Sequence, residues 1–362
     1  MLDFFHNVLG DEALHQFFAG RATPLLFLLI ALLLVLLGKA ADKLVGEAVI
    51  LSERSGLPKV VIGATIVSLG TTSPEAAVSV LAALQGDPGL ALGNAVGSII
   101  CDTGLILGVA CLIAPPMLPR RLVNRQGWLQ FLAGTLLVAF CWPWHGGNPL
   151  VDGGRLPQFG GFILVALLVG YLWLSVRWAR QGNAAEIMAE LEEIEKEAGD
   201  EAQPLPLVIG KLFVSIAAVV LASHLLIPAI SVAAERLGVP KAIVAATLVA
   251  FGTSLPELVT AVTASLKGHG DLAIGNVIGA DILNVLFVAG LSAAVTPEGL
   301  VAGPDFFRVL FPAMMLVLVV FRVSVAMSGD RMRRPFGVLL LAAYAGAMIA
   351  SYVAMSPAAG TP

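Results

Sequence analysis

Two glutamates, each directly after a proline and a few residues behind a pair of hydroxyls, stand inside apolar stretches: Gly70-Thr71-Thr72-Ser73-Pro74-Glu75 and Gly252-Thr253-Ser254-Leu255-Pro256-Glu257. A carboxylate in such surroundings is costly unless a cation or a proton neutralises it, and neither motif contains a basic residue. Proline offers no N–H, so Pro74 leaves the carbonyl of Gly70, and Pro256 that of Gly252, without a helical partner. Spacings of three and four residues put Thr71, Thr72 and Glu75 on one helix face, and Thr253, Ser254 and Glu257 on another. Carboxylate, hydroxyl and freed carbonyl oxygens suit a hard cation. Ca²⁺ fits better than Mg²⁺, because it accepts about 6 to 8 oxygens in flexible geometry whereas Mg²⁺ holds its waters. The absence of a His/Cys cluster in the apolar runs argues against zinc or copper. Downstream, Ser98 and Asp102 share one face, as do Ala280 and Asn284 at the equivalent positions, which reads as a second layer of ligands.

The elements that carry these residues are set by composition. The 362 residues are 58% hydrophobic and 13% charged, with a mean hydropathy of +0.91. That excludes a soluble globule and predicts an all-α polytopic membrane protein. Apolar runs of about 20 residues, enough to cross a bilayer as helix, can be laid down about ten times. The expected spans are 24–50, 60–84, 90–114, 127–142 and 159–178, then 207–234, 242–266, 272–295, 306–325 and 336–353. The first is read as a span rather than a signal peptide, since Asp3, Asp11 and Glu12 stand where a signal carries basic residues. Cys101, Cys111 and Cys141 form no recognisable spacing and say nothing of redox compartment.

Segments 63–115 and 245–297 align without a gap at an offset of 182 residues. Five spans separate each motif from its copy, so the second copy enters the membrane from the opposite side. Two inverted five-helix repeats follow: an N-terminal segment 1–23, a first repeat 24–178, a linker 179–206, a second repeat 207–355 and a tail 356–362. Inverted repeats with interrupted signature helices point to an alternating-access transporter whose site lies at the repeat interface. Basic residues gather in one set of loops, among them Arg120, Arg121, Arg125, Arg331, Arg333 and Arg334, which predicts both termini outside and the linker in the cytoplasm. The stretch 181–206, rich in Glu and Lys, reads as a solvated linker.

The paired motifs resemble the alpha repeats of the cation/calcium antiporter superfamily, most closely prokaryotic sodium/calcium exchangers. The similarity runs from Ala41-Asp42-Lys43-Leu44-Val45 through the tenth span. It implies a protein of the prokaryotic cytoplasmic membrane, a transporter and not an enzyme, that exchanges Na⁺ for Ca²⁺. It further implies no cofactor, and as partners only the transported ions and membrane lipid, with no nucleic acid. The implied ligands are Glu75, Glu257, Thr71, Thr72, Thr253 and Ser254, with the backbone oxygens of Ser68 and Ala250. The third-helix and eighth-helix positions fall on Ser98, Asp102, Ala280 and Asn284. By the same resemblance, the long first and sixth spans slide across a rigid core of the other eight.

Two departures stand out. The archaeal type has Asn in the third helix and Asp in the eighth, whereas Asp102 and Asn284 exchange those identities; the carboxylate count is kept and the charge moves to the mirror-image position. Ala280 replaces an expected serine, and Asp281 beside it is a candidate to supply the missing oxygen, or else a helix-surface acid. The competing function is H⁺/Ca²⁺ exchange, or that of another divalent cation, because a buried carboxylate can carry a proton. A cation channel is disfavoured by two inverted halves where channels use rings of subunits. Gly268-His269-Gly270-Asp271 matches a short motif of intramembrane aspartyl proteases but lies in a predicted loop without a partner Asp motif. Asn94 and Asn276 are expected to hold backbone rather than ions. Asp42, Lys43 and Glu47 read as an ion cluster near the inner end of the first span, and His224 as a packed neutral histidine.

Overall fold

The computed structural model describes residues 11–144, 146–182, 204–237 and 253–355. The order is α1 (Asp11–Ala19), α2 (Thr23–Ser55), α3 (Lys59–Thr71), α4 (Ser73–Leu84), α5 (Pro88–Ile113), α6 (Arg120–Cys141), β1 (Gly154–Leu156) and α7 (Gln158–Gly182). Then come α8 (Leu205–Arg236), α9 (Leu255–Leu266), α10 (Gly270–Val295), β2 (Leu300–Ala302), α11 (Phe306–Met327) and α12 (Arg334–Met355). Seven helices are long and apolar enough to cross a membrane, and α3 with α4 forms an eighth span, broken by a 43° bend. The chain is a multi-pass membrane protein. Of the ten expected spans, the remaining two are α6, whose first turns carry Arg120, Arg121 and Arg125, and 242–266, of which only α9 lies among the described residues. The expected linker reading of 181–206 falls almost wholly outside them, although α7 continues to Gly182.

Loop contacts sort the helix ends onto two faces. On one, Leu118 N–H donates to Asp330 O (2.8 Å), Met332 N–H donates to Pro116 O (3.0 Å), and Lys59 Nζ approaches His269 Nδ1 (3.3 Å). On the other, β1 pairs antiparallel with β2 and the Arg236 guanidinium donates to the carbonyls of Ala19 and Arg21 and to Thr23 Oγ1. Successive spans therefore run in opposite directions, and the broken span of α3 and α4 starts at the face at which α9 ends. The small ribbon, with an isolated antiparallel bridge between Met117 and Arg331, is the extended structure among the described residues. Glycines make room for it: a Cβ on Gly153 (φ 71°) would lie 2.4 Å from Ala302 O of β2, and one on Gly154 would lie 1.9 Å from Cys141 O at the end of α6, contacts only glycine escapes.

Burial distinguishes a centre from a rim. The most apolar window of α10 is 94% buried and that of α5 is 72% buried, against 22% for α2 and 33% for α8. These last two long helices pack antiparallel against each other on the periphery. At 33 residues, α2 is about 50 Å long, well beyond a bilayer core of about 30 Å. It runs unbroken because no proline interrupts it between Pro24 and the left-handed Gly56 (φ 63°) that ends it.

The crossing of α3 with α10 is the closest backbone approach near the motifs. A Cβ on Gly275 would lie 2.2 Å from Val60 O, one on Gly63 2.5 Å from Leu272 O, and one on Gly279 2.5 Å from Ser68 Oγ. Small residues allow such contact in membranes, where dispersion and not hydrophobicity holds helices together. This contact fixes the first motif's helix against the second repeat.

Candidate functional site

The first motif interrupts a helix at the position of its hydroxyls, and the second opens one there. Thr72 separates α3 from α4 and Ser254 precedes α9; in both cases the proline occupies the first turn and the glutamate follows it. Proline suits a first turn, where its missing N–H leaves nothing unpaired. Glu75 and Glu257 thereby sit where unsatisfied N–H groups and the helix dipole present partial positive charge. That gives each carboxylate some support without a neighbouring base, and neither makes an ion pair with a described residue.

The two motifs touch across the repeat interface. Thr72 Oγ1 donates to Glu257 Oε1 at 3.3 Å, joining the first copy's hydroxyl to the second copy's acid. Thr253 Oγ1 donates to Asn94 Oδ1 at 3.4 Å, joining the second copy back to α5. Asn284 Nδ2 donates to Asp102 Oδ2 at 3.4 Å, so the two positions that exchange identity face each other directly. Glu75, Glu257, Asp102 and Asn284 are each 1% exposed. Yet Glu75 Oε2, Glu257 Oε2, Asp102 Oδ1, Asn284 Oδ1, Ser98 Oγ and Ser254 Oγ make no hydrogen bond. Buried polar atoms are nearly always paired, so this many unpartnered oxygens call for partners that the described side chains do not supply.

The acids do not crowd one point. Among the described residues no three His, Cys, Asp or Glu side chains converge within reach of one metal ion. Any ion here must draw on hydroxyl, amide and carbonyl oxygens as well as carboxylates, which is the donor set of Na⁺ and Ca²⁺. Local winding helps to aim these groups. Gly63–Val67, Cys101–Ile106 and Asn284–Ala289 are π turns. The last two begin at or beside the exchanged pair, and such widened turns recur where a helix carries function.

Not every expected group points the same way. The Ser68 carbonyl accepts from Thr72 N–H (2.8 Å) and Thr71 Oγ1 (3.4 Å), so both lone pairs are engaged. It turns to an ion only when the Thr71 hydroxyl rotates away. Ala250 lies outside the described residues. Ala280 is fully buried and supplies no side-chain oxygen. Asp281 is buried as well, but its hydrogen bonds go to Thr103, the neighbour of Asp102 on α5, and to Gln130. Asn94 bridges Ser79 Oγ (2.9 Å) and Thr253, while both polar atoms of its counterpart Asn276 are buried without a partner. Gln130 and Thr103 were invisible as site candidates, although a glutamine amid Trp128-Leu129 and Phe131-Leu132 is a polar signal in an apolar run. Asp42 pairs with Lys267 (3.1 Å) and the buried Glu47 with Lys43 (2.8 Å). His224 is half-buried.

With this arrangement in view, comparison with known proteins is decisive. The family model described as "Sodium/calcium exchanger protein" matches residues 25–177 and 207–353, one block for each half. The chain is 33% identical to the inner membrane protein YrbG of Escherichia coli over 317 residues, covering 86% of this chain and 92% of that protein. It is 30% identical to the sodium/calcium exchanger MaX1 of Methanosarcina acetivorans over 349 residues, covering 89% and 97%. Its fold superposes on the sodium-calcium exchanger NCX_Mj soaked with zero Na⁺ and Ca²⁺, with a TM-score of 0.73 and 24% identity over 91% of this chain and 99% of that one. Two matched halves, on a fold of multiple membrane-crossing helices, make this chain a member of the sodium/calcium exchanger family, a transporter and not an enzyme.

Proposed function

We propose that the chain exchanges Na⁺ for Ca²⁺ by alternating access, the two cations competing for the oxygens gathered at the motif interface. The observation that carries this reading is the set of buried, unpartnered acid oxygens contributed by both repeats, Glu75 Oε2, Glu257 Oε2 and Asp102 Oδ1. The cross-repeat contacts Thr72–Glu257 and Asn284–Asp102 support it, because they make the second repeat's site inseparable from the first's. The ligands are Glu75, Glu257, Asp102 and Asn284 with the hydroxyls of Thr71, Thr72, Thr253, Ser254 and Ser98, and the carbonyls of Ser68 and Ala250.

An empty cavity holding three ionised carboxylates resists closing, since desolvated like charges repel. Filling it with Ca²⁺, or with several Na⁺, removes the repulsion and permits the switch, so the cation that leaves must be replaced before the return step. Mutual exclusion gives exchange, and the inward Na⁺ gradient drives Ca²⁺ out. The peripheral pair α2 and α8 slides across the buried core of α5 and α10, whose tight packing keeps the ion ligands in place. The loops rich in arginine face the cytoplasm and both termini lie outside.

The test is Ca²⁺ uptake into vesicles of reconstituted protein. Uptake into Na⁺-loaded vesicles that rises with the outward Na⁺ gradient and is indifferent to a pH gradient is the expected result. Uptake that follows the pH gradient alone replaces this scheme with H⁺/Ca²⁺ exchange.

A further inference from the structure

One buried acid makes its hydrogen bonds outside the cross-repeat pairs described above. Asp281 on α10 is 2% exposed, as is Gln130 on α6. Thr103 Oγ1 and Gln130 Nε2 both donate to Asp281 Oδ2, and Gln130 Nε2 also donates to Thr103 Oγ1 at 3.0 Å. The remaining oxygens of the cluster, Asp281 Oδ1 and Gln130 Oε1, are buried and make no hydrogen bond. No lysine, arginine or histidine among the described residues forms an ion pair with Asp281. A carboxylate in a helix this deeply enclosed is not left as a bare charge.

We infer that Asp281, Gln130 and Thr103 form an accessory Na⁺ station adjoining the Asp102–Asn284 pair, Thr103 being the neighbour of Asp102 on α5. One carboxylate with a few neutral oxygens matches a monovalent ion. It falls short of the oxygen count and charge that hold Ca²⁺. The glutamine serves in two ways. With no ion its amide N–H holds Oδ2; when Na⁺ enters, rotation of the amide by half a turn presents Oε1, since the two ends of an amide are nearly the same shape. Thr103 follows Asp102 in sequence, so occupancy here is felt by the ligand next to it, on the same π turn. This station rests on the reading of the chain as a Na⁺-driven exchanger.

The experiment compares Na⁺-dependent Ca²⁺ flux in proteoliposomes of the full chain with that of Asp281→Asn and Gln130→Leu, over a series of Na⁺ concentrations at two pH values. The expected result is a shallower dependence on Na⁺ in both variants, with the Hill coefficient lower by about one. Unaltered steepness in both variants overturns the station, and so does a change confined to the pH dependence, which would make Asp281 a proton holder. If Asp281→Asn does not give folded protein, Gln130→Leu and Thr103→Val carry the same readout, each removing a neutral oxygen. A wild type without Na⁺-driven flux removes both the station and the exchanger reading. A wild type with such flux, and variants of unchanged steepness, removes the station alone.

Discussion

At the scale of single residues, the two glutamates differ from ordinary surface acids in one respect: each is buried with an oxygen that no described residue satisfies. Replacing either by its neutral isostere removes a charged ligand while keeping the shape. Glu75→Gln and Glu257→Gln should each weaken Ca²⁺ binding at least ~10-fold, about 1.4 kcal/mol, measured by Ca²⁺ titration of purified protein. Full Ca²⁺ affinity in either variant would remove that residue from the site. The pair Asp102 and Asn284 makes a sharper case. Because their side chains touch, exchanging them moves the charge only across one hydrogen bond. Asp102→Asn should lose most Ca²⁺ transport, and adding Asn284→Asp should restore much of it. A double variant no better than Asp102→Asn would show that the two sides of the cavity are not equivalent.

Among the helices, the informative contact is between the rim and the first motif. Ile216 of α8 packs directly on Gly70, so that a Cβ at that glycine would meet the isoleucine side chain at 2.7 Å. Steric overlap of this kind typically costs about 1–3 kcal/mol unless a neighbour gives way. Gly70→Ala should therefore slow exchange, and Ile216→Ala in the same chain should relieve it, the coupling being read from a double-mutant cycle of transport rates. Strict additivity of the two changes would mean that α8 does not bear on the motif during transport. A second rim contact, Lys267 with Asp42, ties α2 to the end of α9. If α2 slides, cross-linking cysteines introduced by Asp42→Cys and Lys267→Cys should arrest transport until a reductant is added. The native cysteines are buried and free, so they compete little. Undiminished transport in the cross-linked protein would exclude relative motion of these two helices.

For the molecule as a whole, the two faces differ in their chemistry, and one titratable contact lies outside the spans. On the face that gathers the basic loops, burial, and then the charge of Lys59, lower the affinity of His269 for protons below the ordinary histidine value of 6.5. The folded chain thus binds fewer protons at this site than the unfolded chain. Its contribution to stability is complete above pH about 6.5 and is lost as pH falls through the lowered value. Thermal stability should fall on acidification from pH 7, and His269→Asn should flatten that dependence by a small margin, since the ring is only partly buried and is screened. Equal slopes in both proteins would remove His269 as a source of it.

Composition and repetition determined a great deal by themselves. Apolar runs of bilayer length dictate helices, because hydrocarbon offers no partner to an unpaired backbone group. The gapless copy in which Pro74-Glu75 answers Pro256-Glu257 marks the broken helices and their acids. Neither signal could say which way a buried side chain turns. That Asp281 leaves Asn284 for Gln130, that Asp102 faces Asn284 across the repeats, and that the Ser68 carbonyl is already engaged depend on helix rotation and crossing. These are set by residues far apart in sequence. The contact of Gly63 with Gly275 and the ribbon at Gly154 were illegible for the same reason: a glycine declares only that space is needed, and the backbone that fills the space comes from elsewhere in the chain.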